Sequence, residues 1–243
     1  MNKHNLLFAI CLIVSMQASA QDFTLGARGG LNQFNSADIN SRGGSLQGTP
    51  PDVLFTPVKE FGTQYGGYVL VEFGKLFVRP EINFANSKNK YEFPQNTSYW
   101  KTSELDIPIL FGYEIFKPIS IYAGPGFNNT TKISLDGVQV TSYSDGGPDL
   151  KTSNVNMNVG IAVKFNRFGL DLRYEMGSKE TEEELLDIVN SNYGVNLADQ
   201  RSFKPNTISL SFTIDIISTK EMNLRNLFTG IFSNNKCHCP YGK

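Results

Sequence analysis

The chain is short of the residues that catalysis and cross-linking use most. Its 243 residues hold three cysteines and two histidines, and their positions matter more than their number. His4 and Cys11 fall in an N-terminal stretch, while Cys237, His238 and Cys239 stand together near the C-terminus. Residues 21 to 236 contain neither type. That excludes a disulfide framework, a Ser-His-Asp or Cys-His catalytic group and a histidine-ligated metal from the body of the protein. Charge of one sign is missing as well: the formal net charge is −1 at pH 7, which leaves no electrostatic footprint for a nucleic-acid partner. Long apolar runs are also absent. Beyond the N-terminal stretch, the longest uncharged run is Pro118 to Thr131, broken by prolines, glycines and asparagines, whereas a helical membrane span needs ~18 or more apolar residues.

The first twenty residues read as a cleaved signal peptide. Lys3 and His4 precede the uncharged run Leu6 to Met16, and Ala18-Ser19-Ala20 is a small-x-small cleavage site. Cys11 follows Phe8-Ala9-Ile10 and so lacks the small residues of a lipoprotein cleavage box. With 40% hydrophobic and 19% charged residues, the chain that follows is not disordered in character.

Apolar residues recur there at period two. Val155, Met157, Val159, Ile161, Val163 and Phe165 alternate with Asn156, Asn158, Gly160, Ala162 and Lys164, the pattern of a two-faced strand. The pattern returns in 168–177, 76–85, 105–115, 119–128 and 208–216, and more weakly in 23–32 and 64–73, so eight strands are expected. Their joints alternate in length. Gly74-Lys75, Phe116-Lys117-Pro118 and Asn166-Arg167 are tight turns, whereas 35–60, 87–103, 130–152 and 178–203 are long and polar. Residues flanking a hairpin turn share a face; Phe73 with Leu76, Phe165 with Phe168, and Ile115 with Ile119 meet that condition.

Alternating strands of ~9 to 11 residues, with short turns on one rim and long loops on the other, suit an outer-membrane barrel. A soluble eight-stranded barrel also alternates, but with a polar face in water. Here the polar face carries a single lysine, Lys164, among Gly, Ser, Asn, Asp and Arg, and small residues oppose large ones, Gly112 with Tyr122 and Gly160 with Arg173. This places the polar face inside and the apolar face in lipid. Phe73, Phe77, Phe116, Phe165 and Phe168 gather at the short-turn rim as an interfacial girdle. The expected fold is all-β: an eight-stranded antiparallel up-and-down transmembrane β-barrel with long extracellular loops and short periplasmic turns. The expected organisation is a signal peptide over 1–20, the barrel over 21–217 and a periplasmic tail over 218–243.

The segments Val78-Arg79-Pro80-Glu81-Ile82, Leu105 to Tyr113, Ile121 to Gly126 and Leu170-Asp171-Leu172-Arg173-Tyr174 resemble those of PorT-like outer-membrane β-barrel proteins, over roughly residues 21 to 217. The resemblance implies an eight-stranded barrel in the outer membrane of a Gram-negative bacterium; the namesake of that family is tied to protein secretion. The chain departs from such barrels by continuing past Ile217.

The inward charges are Arg28, Glu72, Arg79, Glu81, Asp106, Glu114, Lys164, Asp171, Arg173, Glu175 and Asp215. In a narrow lumen they must pair to offset desolvation, so a structural charge network is expected and not a catalytic carboxylate pair. No catalytic, metal or cofactor site is expected: Gly29-Gly30, Gly43-Gly44, Gly66-Gly67 and Gly146-Gly147 match no phosphate-binding spacing, and Cys237-His238-Cys239 offers too few ligands for a closed zinc site. Glu180 to Val189 reads as a short acidic surface helix. In the tail, Leu224, Leu227, Phe228, Ile231 and Phe232 form one helical stripe, suited to a membrane interface or to a periplasmic or envelope protein partner. These features point to a non-enzymatic outer-membrane barrel in contact with lipid, with a structural or adaptor role accessory to secretion or envelope assembly. A soluble periplasmic ligand-binding barrel and a small-solute channel stand as alternatives.

Overall fold

A computed structural model describes residues 22–44, 49–148 and 153–219. The signal-peptide segment, the Leu224 to Phe232 stripe and Cys237-His238-Cys239 lie outside the described residues. The strands in chain order are β1 (Asp22–Phe34), β2 (Ile39–Gly43), β3 (Leu54–Phe55), β4 (Val58–Lys59), β5 (Gly62–Phe73), β6 (Leu76–Glu92), β7 (Thr97–Phe116), β8 (Ile119–Leu135), β9 (Ser153–Phe165), β10 (Phe168–Gly177), β11 (Glu184–Asp187), β12 (Leu197–Gln200) and β13 (Asn206–Ser218). Eight of them, β1, β5, β6, β7, β8, β9, β10 and β13, form an antiparallel ring in which each pairs with its chain neighbour among the eight. Pairing of β1 with β13 closes it, so no edge among these eight is left open to lipid.

The alternation does what the lipid requires. Ile82 and Leu170 on the outer face are each 52% exposed, while Asn32 and Asp171 on the inner face are 1% and 0% exposed. Along β6 the apolar outward file runs from Leu76 to Phe84. At ~3.3 Å per residue and a tilt of about 40°, it rises roughly 20 Å, close to the ~25 Å apolar band of such barrels. Phe73 opposes Leu76 and Phe165 opposes Phe168 as the alternation requires. At the third hairpin Phe116, not Ile115, opposes Ile119, because a register shift between Glu114 and Phe116 places an extra residue in β7. The girdle reading also needs one correction. Phe77 is buried in the lumen, where its ring covers Gly112, while Phe73, Phe116, Phe165 and Phe168 are exposed at the short-turn rim.

The long loops differ most from expectation. β6 and β7 continue up to Glu92 and Thr97 as one hairpin, so most of the supposed loop 87–103 is strand. β8 likewise reaches Leu135. The segment 180–189 is not a helix: Glu184–Asp187 is β11, and the one helical turn nearby, α1, spans Asn190–Tyr193. Leu186 and Ile188 are fully buried at alternate positions, a spacing that an extended chain can bury on one side and a helix cannot. β11, β12, β2 and β3 make a separate four-stranded sheet from two different loops.

Candidate functional site

The lumen is filled, not open. β1, β6 and β10 bring Arg28, Arg79 and Arg173 onto Glu81 and Asp171. Glu81 meets all three guanidiniums: Arg28 Nη1 donates to its Oε2, Arg79 Nε lies 2.7 Å from its Oε1, and Arg173 Nη2 donates at 2.8 Å. Asp171 accepts from Arg79 Nη2 at 2.6 Å and Arg28 Nη2 at 3.3 Å. The Tyr122 hydroxyl donates to Asp171 at 2.7 Å, and its ring lies 4.6 Å from the Arg79 guanidinium. Asn83 and Ser211 complete the shell, Asn83 donating to Glu81 and Ser211 accepting from Arg28. Each charge in this group is buried, so the pairing and the hydrogen bonds offset desolvation together.

The glycines opposite these large side chains make the packing feasible. A Cβ on Gly112 would stand 2.0 Å from Phe77 Cζ, and one on Gly160 2.3 Å from the Tyr122 oxygen. Leu110, Leu70, Tyr68 and Phe77 form an apolar layer with Tyr122 beside the charges.

The remaining inward charges sit outside this group. Lys164 pairs with Asp215 at 2.6 Å, and Tyr68 donates to the same carboxylate at 2.6 Å; the diagonal pairing of Lys164 with Asp171, which hairpin register alone suggests, does not form. Glu72 and Glu114 line a vestibule of about 480 Å³ that opens at the short-turn rim and reaches inward to Arg79. Asp106 accepts from Asn156 at 3.0 Å, and Glu175 lies 4.0 Å from Arg173. Glu175 also lines a small cavity of about 40 Å³ at the other end of the lumen with Glu104, Asn128 and Phe34. Glu104 was not among the expected residues, because the alternation used to define β7 began at Leu105.

Above that cavity the loops have a core of their own. Phe34, Tyr91, Phe93, Trp100, Leu186, Ile188, Val195 and Phe203 are buried together with Ile39 and Leu135. Trp100 packs edge-on against Phe203 with centroids 5.9 Å apart, and Phe55 against Phe93 at 4.8 Å. Tyr91 donates to the Ala37 carbonyl at 2.6 Å; burial pushes its hydroxyl pKa above the ordinary value, which keeps it a donor. Thr49 ties the first long loop to the fourth by donating to the Gly194 carbonyl at 2.6 Å. Phe34 and Phe203 belong at once to this core and to the ends of the chain segments that leave and re-enter the barrel. The extracellular loops are thus a folded cap resting on the barrel mouth.

Among solved structures, the chain is similar to Neisserial surface protein A (14% identity, 80% of this chain and 97% of that one, TM-score 0.39). It is also similar to Ail, the attachment invasion locus protein of Yersinia pestis (15%, 81% and 99%, 0.40), and to the outer membrane protein AlkL (11%, 79% and 90%, 0.41). None of the curated proteins matches the sequence. The family model of the outer membrane protein beta-barrel domain matches residues 17–177, two thirds of the chain and all but the last of its ring strands, and the protein belongs to that outer-membrane barrel family.

Proposed function

We propose that the protein is a non-conducting, non-enzymatic barrel that displays a rigid cap outside the outer membrane and serves there as a structural or adaptor element. The observation that carries this reading is the closure of the lumen: three arginines, two carboxylates and two tyrosines occupy its cross-section, and an eight-stranded interior is just wide enough for side chains to fill. The folded cap supports the same reading, since loops with their own core suit recognition by shape better than passage of solute. The PorT-like segments, Val78 to Ile82 and Leu105 to Tyr113 among them, favour a place beside secretion or envelope-assembly machinery. Residues 218–243 are the proposed periplasmic contact, with Leu224, Leu227, Phe228, Ile231 and Phe232 as the apolar stripe that a partner would cover.

The test is co-purification from detergent-solubilised outer membrane of the full chain and of a chain truncated after Thr219. A stoichiometric envelope protein bound to the full chain and lost on truncation, while the truncated barrel still shows a heat-modifiable folded gel band, is the expected result. An identical, partner-free profile for both chains would overturn the adaptor role.

A further inference from the structure

The outward face of β6, β7 and β8 changes character at one height. Ile82, Phe84, Ile107 and Phe127 are exposed to lipid. Leu105 of β7, set against Phe84, is the last apolar residue of that row, and Asn129 of β8 stands against it. Beyond that row the outward residues are Asn86 and Lys88 of β6, Ser103 and Lys101 of β7 and, past an irregularity in the pairing with β8, Lys132 and Ser134. Register sets Asn86 against Ser103 and Ser103 against Lys132, then Lys88 against Lys101 and Lys101 against Ser134. Two rows of hydroxyl, amide and ammonium groups therefore begin about 7 Å along the strand from the last apolar row, the depth at which lipid headgroups start.

These side chains line one open groove of about 370 Å³, and Phe61, 70% exposed, stands beside them. Lys132 is exposed and has no ion pair among the described residues. Lys88 and Lys101 lie 3.8 and 5.8 Å from the Tyr99 ring. Each has a partly exposed acid at 2.9 Å, Glu60 for Lys88 and Asp136 for Lys101; pairs this accessible are weak and exchange readily with another anion. The basic character is local. The loop that follows β10, on another part of the rim, carries Glu180, Glu182 and Glu183 instead.

We infer that the groove between Lys88, Lys101 and Lys132 binds the phosphate of an outer-leaflet lipid headgroup, with Phe61 against the apolar part of the same molecule. Three ammonium groups at headgroup depth match a phosphate that already lies in the plane of the membrane, and the serine and asparagine side chains supply further donors. The acyl chains of such a lipid would run down the file of Phe84 and Ile82. This site rests on the membrane placement of the barrel and is independent of the adaptor role.

Native mass spectrometry of the full-length protein, released from detergent micelles, tests the site with three probes: diphosphorylated lipid A, the same lipid with both phosphates removed, and inorganic pyrophosphate. The phosphorylated lipid should be retained at least tenfold better than the dephosphorylated one. The triple variant K88Q/K101Q/K132Q should lose that preference, K88R/K101R/K132R should keep it, and K75Q/K117Q at the opposite rim should leave it unchanged. Equal retention of the two lipids by the wild-type protein would overturn the site, a comparison that holds whether or not the glutamine variant folds. Undiminished preference in a folded K88Q/K101Q/K132Q variant would do the same, and pyrophosphate bound as tightly as the lipid would reduce the groove to an adventitious anion site.

Discussion

Replacing Glu81 by glutamine should destabilise the barrel more than replacing any one arginine around it. Glu81 is 3% exposed and touches Arg28, Arg79 and Arg173, whereas among the described residues Asp171 is the only other carboxylate that meets more than one of them. E81Q leaves three buried guanidiniums sharing Asp171, with Glu175 at 4.0 Å from Arg173 alone, and breaking a buried pair from one side costs ~3–5 kcal/mol. R173M is milder, because Arg28 and Arg79 stay within 3.3 and 2.6 Å of Asp171 and the four remaining groups balance in charge. The sign of the coupling is the sharper test. Adding R173M to E81Q restores the wild-type charge balance, so the double variant should recover stability over E81Q alone, by ~1–3 kcal/mol for contacting residues. Urea unfolding in lipid vesicles, followed by the folded gel band and by tryptophan emission, gives all four corners of the cycle. A double variant no more stable than E81Q would show that charge balance does not govern the lumen.

Three further outcomes follow from the same geometry. Trp100 is the only tryptophan and is fully buried in the cap, so native emission should be blue-shifted; Leu186→Ala, a deletion costing ~2–5 kcal/mol in a packed core, should shift that emission to the red while the barrel band stays folded. Gly112→Val places side-chain atoms inside the Phe77 ring and should lower barrel stability by ~1–3 kcal/mol, with partial recovery in Gly112→Val/Phe77→Leu. In a background without Cys237 and Cys239, a membrane-impermeant thiol reagent on intact cells should label cysteine at Val140 or Tyr143, which are 76% and 67% exposed. It should not label cysteine at Lys75 or Arg167, and labelling there instead would invert the topology.

The barrel was legible in the sequence because lipid and lumen impose opposite polarity on successive residues, and two of three hairpin pairs follow from that rule without change. The third fails at a bulge, where one added residue near Ile115 breaks the count. The cap was not legible for a related reason. Above Asn86 and Ser103 the alternation continues but its polarity inverts: Lys88, Lys90 and Lys101 point outward while Tyr91 and Trp100 point inward. A search for apolar residues on the outward parity stops where water replaces lipid, although the strands do not. The cap core also draws Phe34, Tyr91, Trp100, Leu186 and Phe203 from segments far apart in the chain, and only the closed ring brings them together. Within the lumen the inward charges were identifiable by parity, but their partners were not. Hairpin register shows nearest neighbours, whereas Arg28, Glu81 and Asp171 meet across the barrel from strands that do not pair.

Planar-bilayer recording from the purified full-length protein tests the sealed lumen most directly. With Arg79, Arg173, Glu81, Asp171 and Tyr122 filling the cross-section and the cap seated on the mouth, reconstituted protein should add no steady current at any salt concentration. R173M should add none either, since Leu110, Phe77 and Tyr122 still occupy the same layer. Steady unitary currents that scale with salt in the wild-type protein would contradict the account and make the barrel a channel.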